Sequence, residues 1–204
     1  SYIDIHSHAN FTAFDSDREE VMKRAQEAGV AMINVGTQTD TSEKAVELAG
    51  KYSEGVYAIV GLHPIHTSRS FHDKQELGEG GKEFTSRSEE FDYDYYKKLS
   101  VHPKVVGIGE CGLDYFRFKI QDSRFKENEE YKKQEEAFRK QIELAIEVKK
   151  PLMLHLRNGS SRSAYRDAFS ILKSYVIHQT SSSSLRGNLH FFAGSTDEAQ
   201  PFLD

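Results

Sequence analysis

Apolar residues fall in short blocks without polar alternation, and the stretches between the blocks repeat apolar positions at helical spacing. Blocks of that kind read as strands buried on both faces, and the intervening stretches as covering helices. The opening strand, Ile3-Asp4-Ile5-His6-Ser7-His8, leads to a helix capped by Asp15 or Ser16, with Val21, Ala25 and Ala28 on its inner face and Gly29 as its stop. Ala31 to Gly36 forms a second strand. Thr41 or Ser42 caps the next helix, which turns Ala45, Leu48, Ala49 and Tyr52 to one side, and Val56 to Gly61 is the third strand.

Residues 67–90 are polar, with Gly78, Gly80 and Gly81 among Ser, Lys and Glu, and predict an insertion on a strand-to-helix loop. Phe91, Tyr95 and Leu99 then restore a helical face, and His102-Pro103 ends it. Lys104 to Gly109 is a fourth strand finishing at Glu110. A charged helix over about 128–149 points Tyr131, Phe138, Ile142 and Ala145 inward and its Glu/Lys run to solvent. Pro151 to His155 is the fifth strand, Ala164 to Tyr175 a helix, Ser181 to Ser184 a flexible loop, Asn188 to Phe192 the sixth strand, and Thr196 to Leu203 a last helix.

Six βα units in succession predict an α/β fold, a parallel sheet covered by helices. Doubly wound sheets and barrels both satisfy that pattern. They differ in where polar chemistry falls, because a barrel draws functional residues from the C-terminal ends of many strands and a doubly wound sheet concentrates them at one switch point. Here ligand-type residues close nearly every strand, which favours a TIM-type barrel.

Composition narrows the function. With 204 residues, 37% hydrophobic and 29% charged, the chain suits one globular domain with a sizeable core. A formal charge of −5 supplies no overall basic field for nucleic acid, so contact with a polyanion must come from local Lys/Arg or from bound cations. The single cysteine, Cys111, reads as a buried apolar group in a reducing compartment. No apolar run reaches the roughly 18 residues of a membrane span, and the first residues lack a signal-peptide pattern. The expectation is a soluble, cytoplasmic protein with no membrane partner.

The chemistry collects at strand ends: His6 and His8, His63, Glu110, His155 and His190. In a strand, residues i and i+2 share a face, so His6 and His8 present two imidazoles side by side. Any one strand-end histidine has a plain structural reading, as a hydrogen-bonded rim residue. Together the donors exceed what one tetrahedral ion takes, which points to two cations bridged by a carboxylate. His63 and His66 either meet a substrate phosphate or pack the Gly-Leu-His-Pro turn. Arg157, two residues past His155, either holds phosphate through its guanidinium fork or pairs with Asp114. Asp4 and Asp114 fit support of ligands better than ligation.

Asp4 with His6-Ser7-His8, Gly61-Leu62-His63-Pro64, Gly109-Glu110-Cys111-Gly112-Leu113-Asp114, His155-Leu156-Arg157 and His190-Phe191-Phe192-Ala193-Gly194-Ser195 resemble, in order, the signature blocks of the TatD family of metal-dependent deoxyribonucleases. The Gly-Glu-Cys-Gly-Leu-Asp block is the specific one. The resemblance implies a TIM-type barrel of the amidohydrolase superfamily that cleaves DNA phosphodiester bonds, as an exonuclease, with metal-activated water. It implies two divalent ions, Mg²⁺, Mn²⁺ or Zn²⁺: one held by His6, His8 and Glu110, the other by Glu110, His155 and His190. Glu110 and His63 are then the catalytic candidates, and His63, His66 and Arg157 the substrate contacts.

The family pattern closes with an aspartate after the eighth strand, which has no match here, since Asp197 aligns with the helix after strand six and Asp204 is equally unsuited. A barrel of this type takes about 250 residues. Six strands therefore predict a single metal-dependent hydrolase barrel domain over residues 1–204, C-terminally incomplete, with the insertion at about 67–90 on its active-site side. An open six-stranded sheet closed by oligomerisation is the competing expectation. The competing functions are lactone or amide hydrolysis on the same metal frame, which a lysine in place of Glu110 would favour, and a truncated non-catalytic protein that binds metal or nucleic acid.

Overall fold

The structure, a computed structural model, describes residues 2–69, 71–72, 84–116, 124–176 and 185–203. In chain order the elements are β1 (Tyr2–Ser7), α1 (Arg18–Glu27), β2 (Val30–Val35), α2 (Thr39–Gly50), β3 (Val56–Val60), β4 (Phe71–His72), β5 (Phe84–Thr85), α3 (Tyr93–Ser100), β6 (Val105–Asp114), α4 (Arg124–Val148), β7 (Leu152–Arg157), α5 (Ala164–Val176), β8 (Gly187–His190) and α6 (Thr196–Leu203). Six strands form one parallel sheet in the order β1-β2-β3-β6-β7-β8. Each strand lies beside the one before it, with a helix between, which is the winding of a barrel; a doubly wound sheet reverses its order at a switch point. The sheet curls until the rim residues of its two end strands meet, with the rings of His6 on β1 and His190 on β8 stacked 3.5 Å apart. The result is a nearly closed six-stranded barrel.

Strand alternation divides the core into two shells. On β7, Leu152, Leu154 and Leu156 face the helices and belong to the large cluster that includes Phe138, Ile142 and Tyr165. Met153 faces the other way and packs with Val35 and Ile59 inside the barrel. The same phase carries His155 and Arg157 inward at the end of the strand, two and four residues on. Cys111 is fully buried, as its reading as a small apolar group requires. Among the described residues no helix is long and apolar enough to cross a membrane.

Several element details differ from expectation. Helix α1 starts one or two residues later than a cap at Asp15 or Ser16 would give, after Asp17, because a 3-10 turn at Thr12–Phe14 uses those residues first. In α2 the Thr41 hydroxyl does act at the N-terminus, accepting the Gln38 backbone N–H at 3.0 Å, but as the third helical residue. The Asp92 carboxylate caps α3 by accepting from Tyr95 N, and that start places Tyr96, fully buried and stacked on Phe91, deepest on the inner face, with Tyr95 and Leu99 partly buried against the same core. Strand β6 runs on past Glu110 to Asp114, so Asp114 is a strand residue. The 67–90 insertion carries a two-stranded antiparallel pair, β4 with β5. Most of residues 70–83 and the expected Ser181–Ser184 loop lie outside the described residues.

Candidate metal centre

All six strand-end candidates converge on the C-terminal rim. β1 delivers His6 and β7 delivers His155, whose ladder partner on β8 is His190. Glu110, 4% exposed, sits at the centre. The glycines on either side of it have a steric purpose: a Cβ at Gly109 would lie 2.5 Å from the Met153 carbonyl oxygen and one at Gly112 2.2 Å from that of His155, so only glycine lets β6 run this close to β7. The Gly109–Glu110 peptide is cis.

The Glu110 carboxylate is shared. Its Oε2 lies 3.4 Å from His6 Nε2; its Oε1 lies 3.0 Å from His155 Nδ1 and 3.5 Å from His63 Nε2. Two groups of three side chains have potential ligand atoms within 4.8 Å of one another, His6–Glu110–His190 and His63–Glu110–His155, with Glu110 in both. His8 joins the first side, its Nε2 3.1 Å from His6 Nε2. The structure thus brings His190 to the His6 side and His63 to the His155 side, whereas the resemblance grouped His190 with His155.

Backbone partners set the imidazole tautomers. His8 Nδ1 lies 3.0 Å from the Val35 carbonyl oxygen, which can only accept, so Nδ1 carries the proton and Nε2 offers a lone pair towards His6. His63 is the reverse: its Nδ1 accepts the Ile65 backbone N–H at 3.1 Å, leaving an Nε2–H directed at Glu110. His155 stands between two carboxylates, Glu110 at Nδ1 and Asp114 Oδ2 at Nε2, the latter at 2.9 Å. Asp114 also accepts the Phe116 backbone N–H at 3.0 Å. Asp4 is exposed and accepts the His6 backbone N–H at 3.0 Å, supporting a ligand candidate rather than facing the centre.

Protonation follows from these contacts. Burial pushes Glu110 up, but His63 and the hydrogen bonds from His155 and His6 outweigh it and hold the carboxyl well below its usual range. Burial disfavours charge on His155, yet its hydrogen bonds to Asp114 and Glu110 prevail and raise it to about 9. Burial and His6 lower His8; burial and His155 lower His63; burial and His6 lower His190 to about 4. At neutral pH the rim therefore offers an anionic carboxylate, uncharged imidazoles at His8, His63 and His190, and a protonated His155 that becomes a donor once it gives up its proton, the donor set of a divalent transition-metal or Mg²⁺ site. His6 Nδ1 is buried without a hydrogen-bond partner among the described residues, and the facing His6 and His8 Nε2 atoms need a proton or a cation between them. The residues fit a metal centre.

The outer candidates are less central. His66 is 6% exposed, in a 3-10 turn behind His63, with their ring centres 6.2 Å apart. Arg157 lies within β7, as a continuing strand requires, and its guanidinium sits 3.6 Å over the Phe116 ring. Phe116 is 55% exposed, so this cation–π pair stands at the open rim. Asp197 occupies the first turn of α6 and belongs to neither donor group. Two residues that sequence reasoning passed over, Gln134 and Gln141, hold the strand ends from α4; their signal was a pair of polar residues on the inward face defined by Tyr131, Phe138 and Ile142.

Residues 3–204 match the family model described as TatD related DNase. An uncharacterized metal-dependent hydrolase, YabD, of Bacillus subtilis is 33% identical over 198 residues, 97% of this chain and 63% of that protein. A 3'-5' ssDNA/RNA exonuclease TatD of Pantoea vagans is 31% identical over 202 residues, 98% of this chain and 63% of the relative. The crystal structure of YjjV, a TatD homolog from Escherichia coli K12, superposes with a TM-score of 0.69 at 25% identity, covering 99% of this chain and 64% of that one. The chain spans about 60% of the length of the curated relatives it matches.

Proposed function

Because the chain belongs to the TatD-related DNase family, we propose that it carries the metal centre of a hydrolase that cleaves phosphodiester bonds in DNA or a related nucleic acid, acting from a strand end. The observation that carries this reading is the Glu110 carboxylate, whose two oxygens face two separate groups of imidazoles. Two divalent ions, Mg²⁺, Mn²⁺ or Zn²⁺, would be held by His6, His8, His190 and Glu110 on one side and by Glu110 and His155 on the other. Bound there, they supply an activated water and charge stabilisation for an in-line displacement.

The chain's own residues contribute the rest. His8 is fixed by Val35 with its lone pair inward, and Asp114 fixes the His155 ring, so both are oriented before a cation arrives. The proton that His155 holds between two carboxylates must leave for its nitrogen to ligate, so metal uptake releases a proton. His63 presents an N–H, which suits a hydrogen bond to a phosphate oxygen better than ligation, and this supports its reading as a catalytic substrate contact. Arg157, over the Phe116 ring at the rim, supplies a cationic fork for a neighbouring phosphate, and His66 backs His63.

The test is release of nucleotides from end-labelled single-stranded DNA with Mg²⁺ or Mn²⁺. Metal-dependent release that disappears in Glu110→Ala supports the reading. Release that survives the substitution, or a folded chain that takes up metal and is inert, counts against it.

A further inference from the structure

Helix α4 carries Gln134 and Gln141 seven residues apart, two helical turns and about 10 Å along the axis, so both amides leave the helix on one side. Both are buried, at 4% and 1% exposure, on the face that buries Phe138 and Ile142. Each amide clips a single strand-end residue by its backbone. Gln141 Oε1 accepts from Leu62 N at 2.9 Å, and its Nε2 donates to Leu62 O at 3.0 Å. Gln134 Oε1 accepts from Asp114 N at 2.9 Å, and its Nε2 donates to Asp114 O at 3.0 Å. The clips replace rungs of a β ladder where the strands run out, satisfying backbone groups that would otherwise be buried unpaired.

The two clipped residues are not arbitrary. Leu62 immediately precedes His63, and Asp114 is the residue that holds His155 Nε2. A Cβ at Gly61 would lie 2.6 Å from Gln141 Oε1, so the approach of the amide to this strand end requires glycine beside it. One rigid helix therefore ties the end of β6, the strand that carries Glu110, to the chain just past the end of neighbouring β3, at a spacing set by helical geometry.

We infer that Gln134 and Gln141 are positioning residues of the metal centre, fixing where His63 and the Asp114–His155 pair stand relative to Glu110. The inference rests on the metal reading above. Gln→Met keeps length and volume and removes both hydrogen bonds. Mn²⁺ binding is followed calorimetrically at a temperature where every variant is folded, and the imidazole nitrogens by NMR of the metal-free protein. Gln134→Met and Gln141→Met are expected to weaken Mn²⁺ binding by about tenfold, the cost typical of losing a group that orients a ligand. Gln141→Met should also move the His63 ring resonances and Gln134→Met those of His155.

Ile171→Ala, a buried substitution on α5, is the control for general destabilisation: it should lower the melting temperature and leave Mn²⁺ affinity and both rings unchanged. The inference is overturned if the folded glutamine variants bind Mn²⁺ as the unmutated chain does with unmoved rings, or if Ile171→Ala weakens binding equally. Should the unmutated chain take up no Mn²⁺, the metal reading falls, and the ring resonances alone decide the positioning role. If Gln141→Met does not fold, Gln141→Glu, which keeps an acceptor for Leu62 N, carries the same test.

Discussion

Gly112→Ala adds one methyl group at the point where β6 passes closest to β7, and its cost is readable from the structure. Gly112 is the ladder partner of His155, and the new Cβ would lie 2.2 Å from the His155 carbonyl oxygen and 3.1 Å from its carbonyl carbon. Restoring ordinary contact requires the strands to part by about 1 Å. The residue also has φ +140°, a conformation that L side chains rarely adopt. Overpacking costs about 1–3 kcal/mol and the backbone strain another ~1–3 kcal/mol, giving about 2–6 kcal/mol in all. That is a large share of the roughly 5–15 kcal/mol that holds a domain together. In urea denaturation followed by circular dichroism, with a slope of about 2 kcal/mol per molar, the midpoint should fall by about 1–3 M. The same separation lengthens the 3.0 Å Glu110–His155 contact, so Mn²⁺ affinity should fall with stability. A Gly112→Ala protein less than about 1 kcal/mol destabilised, with unchanged Mn²⁺ affinity, refutes this account of the glycine.

Two other perturbations follow from the same geometry. Asp114→Asn removes the carboxylate that orients His155, and Mn²⁺ affinity by calorimetry should drop about 10–100-fold; an unchanged isotherm would argue that Asp114 plays no part. Glu198 accepts hydrogen bonds from the Ser163 hydroxyl, from Ser195 N at 2.9 Å and from Asn158 Nδ2 at 3.0 Å, which lower it to about 2 and tie α6 to the loop after β7. A carboxyl depressed on folding stabilises above its unfolded pKa of about 4.3 and loses that contribution as pH falls towards 2. Discounted for solvent screening, Glu198→Gln should cost about 1 kcal/mol at pH 7 and roughly a quarter of that at pH 2.5; a cost equal at both pH values contradicts it.

The barrel and its donors were legible because each is a local pattern. Apolar blocks between helical stretches gave the βα order, and a ligand-type residue after each block gave the rim. His6 and His8 share a face by strand alternation alone, and the phase that buries Met153 also aims His155 and Arg157. The length of β6 was not legible from its apolar block, which ends at Gly109; the glycines at 109 and 112 are there because the neighbouring backbone is too close for any side chain. Nor was the division of donors between two centres, which turns on the curled sheet bringing His190 against His6, or the tautomers of His8 and His63, which the Val35 carbonyl and the Ile65 amide choose. Gln134 and Gln141 were absorbed into a charged, solvated helix, although their spacing against Phe138 and Ile142 marked them as inward. That Tyr96 lies deeper than Tyr95 was not legible, because the Asp92 cap sets the phase of α3.

The central claim is that Glu110 is shared by two cations. Its most direct test is the metal content of the folded chain after Mn²⁺ loading and desalting, measured by elemental analysis beside Glu110→Ala. The account predicts two equivalents per chain and the loss of both in the variant. A chain that retains one equivalent or none, or a Glu110→Ala protein that keeps two, contradicts it.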